Sequence, residues 1–84
     1  MEAIAILKEA GNNVIQSNPA LAYEMYTQCI DINNIWNVLP DRDCAIIHSN
    51  RSQALMKLGD HGSAFNDAIL CVKTDPSYVK VSFI

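Results

Sequence analysis

The sequence predicts an all-α fold, and three features carry that reading. Apolar residues recur at spacings of three and four in successive stretches, which gives each stretch one buried stripe as a helix. No segment alternates apolar and polar residues as a half-buried strand would. Proline, glycine and capping residues fall between the periodic stretches, at "QSNPA", "NVLPD", "LGD" and "DPS".

The first helix is expected over about 2–16, with Ile4, Leu7, Ala10, Gly11, Val14 and Ile15 on one face. Asn18 suits the cap of a second helix, and Pro19 its first turn, where no amide donor is needed. That helix is expected to run to about Asn33 with Ala22, Met25, Tyr26, Cys29 and Ile30 inward. "NNIWNVLPDRD" then reads as a longer connection, because Pro40 blocks a helical run-through. Trp36 and Val38 are expected to tuck against the helices, since a free indole on a loop is an exposed apolar liability.

Asp41 or Asp43 is expected to cap the third helix, which runs to Leu58 and is stopped by Gly59. Asp60 caps the fourth, where His61, Ala64, Phe65, Ala68, Ile69 and Val72 form the apolar stripe. "DPS" ends it, and "YVKVSFI" reads as the first turns of a fifth helix. Short connections between helices of similar length imply antiparallel neighbours.

Bulk properties narrow the function. Of 84 residues, 50% are apolar and 18% charged, which suits one small packed domain and not a disordered tail. The net charge of −3 and the scattering of six Lys and Arg argue against nucleic acid. No apolar run is long enough to span a membrane, and "MEAIAILKEAGNN" lacks the form of a secretory leader. A cytoplasmic protein is expected. Cys29, Cys44 and Cys71 are odd in number and lack CxxC spacing, so reduced thiols are expected rather than disulfides or zinc.

Catalytic chemistry is not expected. His48 and His61 have no metal-ligand partner at suitable spacing, and "DRDC" places acids beside a thiol with no base. The glycines at 11, 59 and 62 form no phosphate loop. No cofactor or metal site is anticipated.

An internal repeat organises the chain. "LKEAGNNVIQSNPALAYEMYTQCIDI" and "NRSQALMKLGDHGSAFNDAILCVKTDP" each read as helix, turn and helix, with Ala22 and Cys29 matching Ala64 and Cys71. The pairs are 42 residues apart, longer than the 34-residue period of one helical repeat class by the connection around Trp36–Pro40. The first unit covers about 2–33, the connection 34–43, the second unit about 44–76, and the next helix begins at 77–84. The inter-helix turn of the first unit reads as one residue shorter than that of the second. Small residues suit the close crossings: Gly11 and Ser52 are expected to face Ala22 and Ala64, with Tyr26 and Phe65 filling the wider gaps.

The second unit, through "SNRS", "KLGD", Ala64, Asp67 and the closing "DP", resembles a tetratricopeptide repeat, and the first is similar in "LKEAGN", Ala22 and "YEMYTQCI". The resemblance covers nearly the whole chain and implies a short right-handed α-solenoid. It extends to the carboxylate-clamp co-chaperone subset, in which the first helix of each repeat lines a groove. That subset grips the Glu-Glu-Val-Asp tail of heat-shock chaperones. By this resemblance Lys8, Asn12, Asn50 and Lys80 are the peptide-binding residues. The subset has Arg four residues beyond its last Lys, and Ile84 stands there in this chain.

The residue types suit the task. A terminal aspartate offers two acceptor-only carboxylates, which Lys meets with ammonium donors and Asn with an amide donor and an acceptor. Lys8 and Asn12 are four apart and so share a helix face. Arg51 is expected on the packing side, its stem over apolar surface and its head on a carboxylate. The apolar Val79, Val81, Phe83 and Ile84 imply either an excised piece of a larger protein or a stack completed by self-association. Taken together, the residues suggest a non-catalytic adaptor that grips an acidic C-terminal peptide. The alternative is a scaffold that uses apolar helix surfaces instead.

Overall fold

A computed structural model describes residues 2–78, and Lys80, Ile84 and the expected fifth helix fall largely or wholly outside that range. The described chain is all-α, with α1 at Glu2–Val14, α2 at Pro19–Trp36, α3 at Asp41–Lys57 and α4 at His61–Thr74. Each helix packs on the one before it. The thinnest dimension, 17 Å, is that of two helix layers.

Local chemistry sets most of the boundaries. Asn18 accepts from the Leu21 amide at 3.2 Å and Pro19 opens α2. Gly59 closes α3 at φ +82°, a left-handed conformation that glycine adopts without penalty. There the Asp60 amide donates to the Leu55 carbonyl at 2.9 Å and the Gly59 amide to Met56 at 3.1 Å, a Schellman closure. Asp60 then caps α4 through the Ser63 amide at 3.2 Å.

Several boundaries depart from expectation. α1 stops at Val14, two residues early, and the Val14 carbonyl accepts from the amides of both Ser17 and Asn18. The first turn (15–18) is therefore longer than the second (58–60), the reverse of the expected order. α2 runs on to Trp36 and ends where Asn37 takes φ 49°, a conformation asparagine tolerates better than most residues. The Asn33 carboxamide accepts from the Val38 and Leu39 amides at 3.0 and 2.9 Å and folds the connection over tightly. Leu39 thereby packs on the core, whereas Trp36 is carried outward to 63% exposure and Val38 is also exposed. Neither Asp41 nor Asp43 caps α3. Pro40 holds the cap position, and the two carboxylates sit in the first turn, where the helix dipole favours negative charge.

The core gathers Ile4, Ala22, Tyr26, Cys29, Ile47 and Ala54, flanked by Leu7, Val14, Ile30 and Leu39. Ala22, Ala64, Cys29 and Cys71, the pairs matched by sequence, are all fully buried. A Cβ added to Gly11 would lie 2.7 Å from the Tyr26 ring, so it is against Tyr26 that the helices approach here. Ser52 donates to the Ala64 carbonyl at 2.8 Å across the second crossing.

The buried face of α4 is Ala64, Asp67, Ala68 and Cys71. His61, Phe65, Ile69 and Val72, expected inward, are exposed, Phe65 at 58%. Asp67, ion-paired with Arg51, lies on that buried face. Overfilling the α3–α4 crossing is costly: Ala64→Leu is expected to lose about 2 kcal/mol, against about 1 kcal/mol for half-buried Leu21→Ala. Thermal unfolding of the two variants checks the order, and equal melting temperatures would contradict the close crossing.

Candidate functional site

Lys8 and Asn12 lie one turn apart on α1, about 6 Å along its axis. Asn50 lies on α3, and its Nδ2 donates to Asn12 Oδ1 at 3.2 Å. The Tyr26 hydroxyl donates to the same oxygen at 2.5 Å. Three of the four sequence-nominated residues are thus gathered on one face of α1 and α3. Lys80, the fourth, lies outside the described residues.

The hydrogen bonds decide what this face presents. Asn12 Oδ1 is occupied twice over, which leaves its Nδ2 as a donor toward solvent. Asn50 keeps its carbonyl oxygen as an acceptor. Lys8 is half-buried and has no carboxylate partner within ion-pair distance among the described residues. The face therefore carries an amide donor from Asn12 and an amide acceptor from Asn50, with Lys8 one turn away on α1. Burial pushes the Tyr26 hydroxyl up to about 12, with nearby Cys29 adding to it, so Tyr26 remains a donor at ordinary pH.

Toward the start of α3 the face opens into a cavity of about 200 Å³ lined by Ile4, Ala5, Lys8, Leu39, Asp43 and Ile47. Lys8 stands across from Asp43 and Ile47 while Asn12 stands across from Asn50, so α1 and α3 run in the same direction. A second cavity of about 210 Å³ lies between the end of α2 and α3, lined by Asn33, Asn34, Asn37, Cys44, His48 and others. Asn33 already donates to the Cys44 thiol there at 3.0 Å.

Arg51 faces the packing side. It forks onto Asp67, with Nε to Oδ2 and Nη2 to Oδ1 both at 2.7 Å, and Nη1 donates to Thr27 Oγ1 at 3.2 Å. Its guanidinium lies 5.7 Å from the Tyr23 ring centroid. His48 Nδ1 adds a 3.3 Å contact to Asp67, which is 2% exposed. Burial pushes the Asp67 carboxyl up, but the hydrogen bonds from His48 and Arg51 and their charges outweigh it, and the net shift is downward. This network ties α2, α3 and α4 together. A role for His48 in it was not legible in the sequence.

Nor was the clasp at the far end of α3 and α4. Arg42 Nε donates to Asp75 at 2.9 Å, its Nη2 to Ser77 at 3.3 Å, and its guanidinium lies 5.4 Å from the Tyr78 ring centroid. All three cysteines are free. Burial holds the Cys44 thiol above its ordinary value, and Asp41 and Asp43 push the same way, against thiolate formation. Among the described residues no group of three His, Cys, Asp or Glu could hold a metal ion. Among the same residues no helix is long and apolar enough to cross a membrane. Compared with known proteins, the chain matches no family model and no solved structure.

Proposed function

We propose that the chain is a non-catalytic adaptor of tetratricopeptide-repeat type, working in the cytoplasm as a co-chaperone-like module that grips an acidic peptide C-terminus. Lys8 meets the carboxylates, Asn12 donates to them and Asn50 accepts from the peptide backbone, with Lys80 as the fourth member by sequence. The observation that carries this reading is the 3.2 Å bond from Asn50 to Asn12, which aligns two helices behind one polar face beside Lys8. The tail of a heat-shock chaperone is the partner this chemistry suits. Charge-assisted hydrogen bonds contribute about 1.5–3 kcal/mol each, so the few this face offers give weak affinity once ordering costs are subtracted.

Titration with Glu-Glu-Val-Asp peptide and its C-terminally amidated form tests the reading. Amidation is expected to abolish binding, Lys8→Ala to weaken it about tenfold, and added salt to weaken it further. A second reading, a scaffold that docks through apolar helix surfaces, is favoured by the exposure of Ile35 and Trp36 on α2 and of Ile69, Leu70 and Val72 on α4. Equal affinity for the free and amidated peptides would leave only that one.

A further inference from the structure

The cavity between the end of α2 and α3 has no part in the grip. Leu39 and Ile47 line both cavities and form the wall between this one and the recess beside Lys8. At about 210 Å³ it is below the range of small-molecule and cofactor pockets, yet larger than an engineered apolar cavity that holds benzene. Its occupant is therefore a small group. The floor is apolar, since Ile47 is buried and Ile30 and Leu39 are half-buried. The rim is polar: Asn34, Asn37 and Asp41 line it and are exposed. These three side chains have no hydrogen-bond or ion-pair partner among the described residues. Their neighbours are fixed. Asn33 commits its carboxamide to the Val38 and Leu39 amides and to the Cys44 thiol, and Asn37 closes α2 at φ 49°. No Lys or Arg lines the cavity, and Arg42, beside Asp41 in the chain, is engaged with Asp75. His48, which does line it, turns Nδ1 to Asp67.

We propose that this cavity binds a primary ammonium group carried on a short apolar body, with the body on Ile30, Leu39 and Ile47 and the ammonium at the rim with Asp41, Asn34 and Asn37. The inference goes beyond the carboxylate-gripping reading and does not depend on it. An ammonium has three donors and no acceptor. The rim offers it one carboxylate and two carboxamide oxygens, and hydrogen bonds between ionised partners are the stronger kind. An anion would meet Asp41 and no lining cation. A wholly apolar group would cover the unpaired Asp41 carboxylate and cost its hydration. An arginine entering head first would carry its guanidinium past the rim to the apolar floor. The chemistry that remains has two sources, a free small amine and the N-terminal residue of a partner chain, where ammonium and side chain leave the same carbon.

The test is an NMR titration of isotope-labelled protein with leucinamide, N-acetyl-leucinamide and glycinamide, read at the side-chain amides of Asn34 and Asn37. Leucinamide is expected to shift both saturably. Acetylation removes the charge and should weaken binding about fivefold, and glycinamide lacks the apolar body and should bind about tenfold more weakly. Asp41→Asn, at an exposed position, is expected to weaken leucinamide about fivefold. Asp43→Asn and Lys8→Ala, which line the recess across the wall, should change it by less than about twofold. The peptide Leu-Ala-Ser-Ala separates the sources: binding tighter than that of leucinamide assigns a chain terminus, and binding no tighter assigns a free amine. Equal binding of leucinamide and its acetylated form, glycinamide as tight as leucinamide, or no saturable shift overturns the proposal. So does a loss in Asp43→Asn equal to that in Asp41→Asn. None of these results touches the carboxylate grip, which is read with a different peptide on the other face.

Discussion

Asp67→Ala is expected to lower the unfolding free energy by about 3–5 kcal/mol, read as a lower urea midpoint with an unchanged slope. Asp67 is among the few buried polar side chains, and its carboxylate receives the whole Arg51 fork. Truncation leaves a largely buried guanidinium with only Thr27 and the Tyr23 ring, and leaves His48 without its acceptor. A loss of this size is a large share of what a small domain has. The double replacement Asp67→Leu with Arg51→Met removes both charges and is expected to recover most of it. A single variant as stable as the parent would show that the three helices are held by apolar packing alone.

The same residue sets an acid limit. Its folded carboxyl titrates below its unfolded value, so the unfolded chain binds the proton first as pH falls. The stabilisation is therefore complete above the ordinary carboxylate range near 4 and is lost as pH drops through the lowered folded value. The stability gap between parent and Asp67→Ala is expected to be constant from neutral pH down to about 5 and to shrink below about 4. A gap that narrowed at neutral pH would point to a different group.

What could be read from the sequence was governed by range. The Asn18 and Asp60 caps and the Gly59 stop use partners within a few residues, and each was legible. Arg51 was legible as a packing-side residue with a carboxylate, since its position on the helix fixes its direction. Asp75, by contrast, lies 33 residues beyond Arg42, and only the folded antiparallel pair brings them together. Trp36 misled because apolar character argues for burial only where another element is there to cover it. The extra turn of α2 carries it past the neighbouring helices, and an Asn in the left-handed cap is a weaker written signal than Gly. In the candidate site Asn12 and Asn50 were nominated from sequence, and the fold brings them into contact. The Tyr26 bond that orients Asn12 was not legible, because it crosses 14 residues between two helices.

That bond joins the core to the polar face of α1 and α3. Tyr26→Ala is expected to cost about 3–5 kcal/mol, because Tyr26 is the largest fully buried side chain among the described residues and Gly11 offers nothing to fill the space. Tyr26→Phe keeps the ring and is expected to cost only about 1 kcal/mol. Its larger effect should fall on binding. Without the hydroxyl, Asn12 Oδ1 loses one of its two donors, its amide is freer to turn, and affinity for a carboxylate-ended peptide should fall several-fold with helix content unchanged. Alkaline titration separates the roles: the unfolded tyrosine deprotonates near 10 and the folded one near 12, so the parent loses stability across that interval. Tyr26→Phe should lose less there. If its alkaline profile matches the parent's, the hydroxyl is not held as described; if its peptide affinity does, the orientation of Asn12 does not matter to the groove.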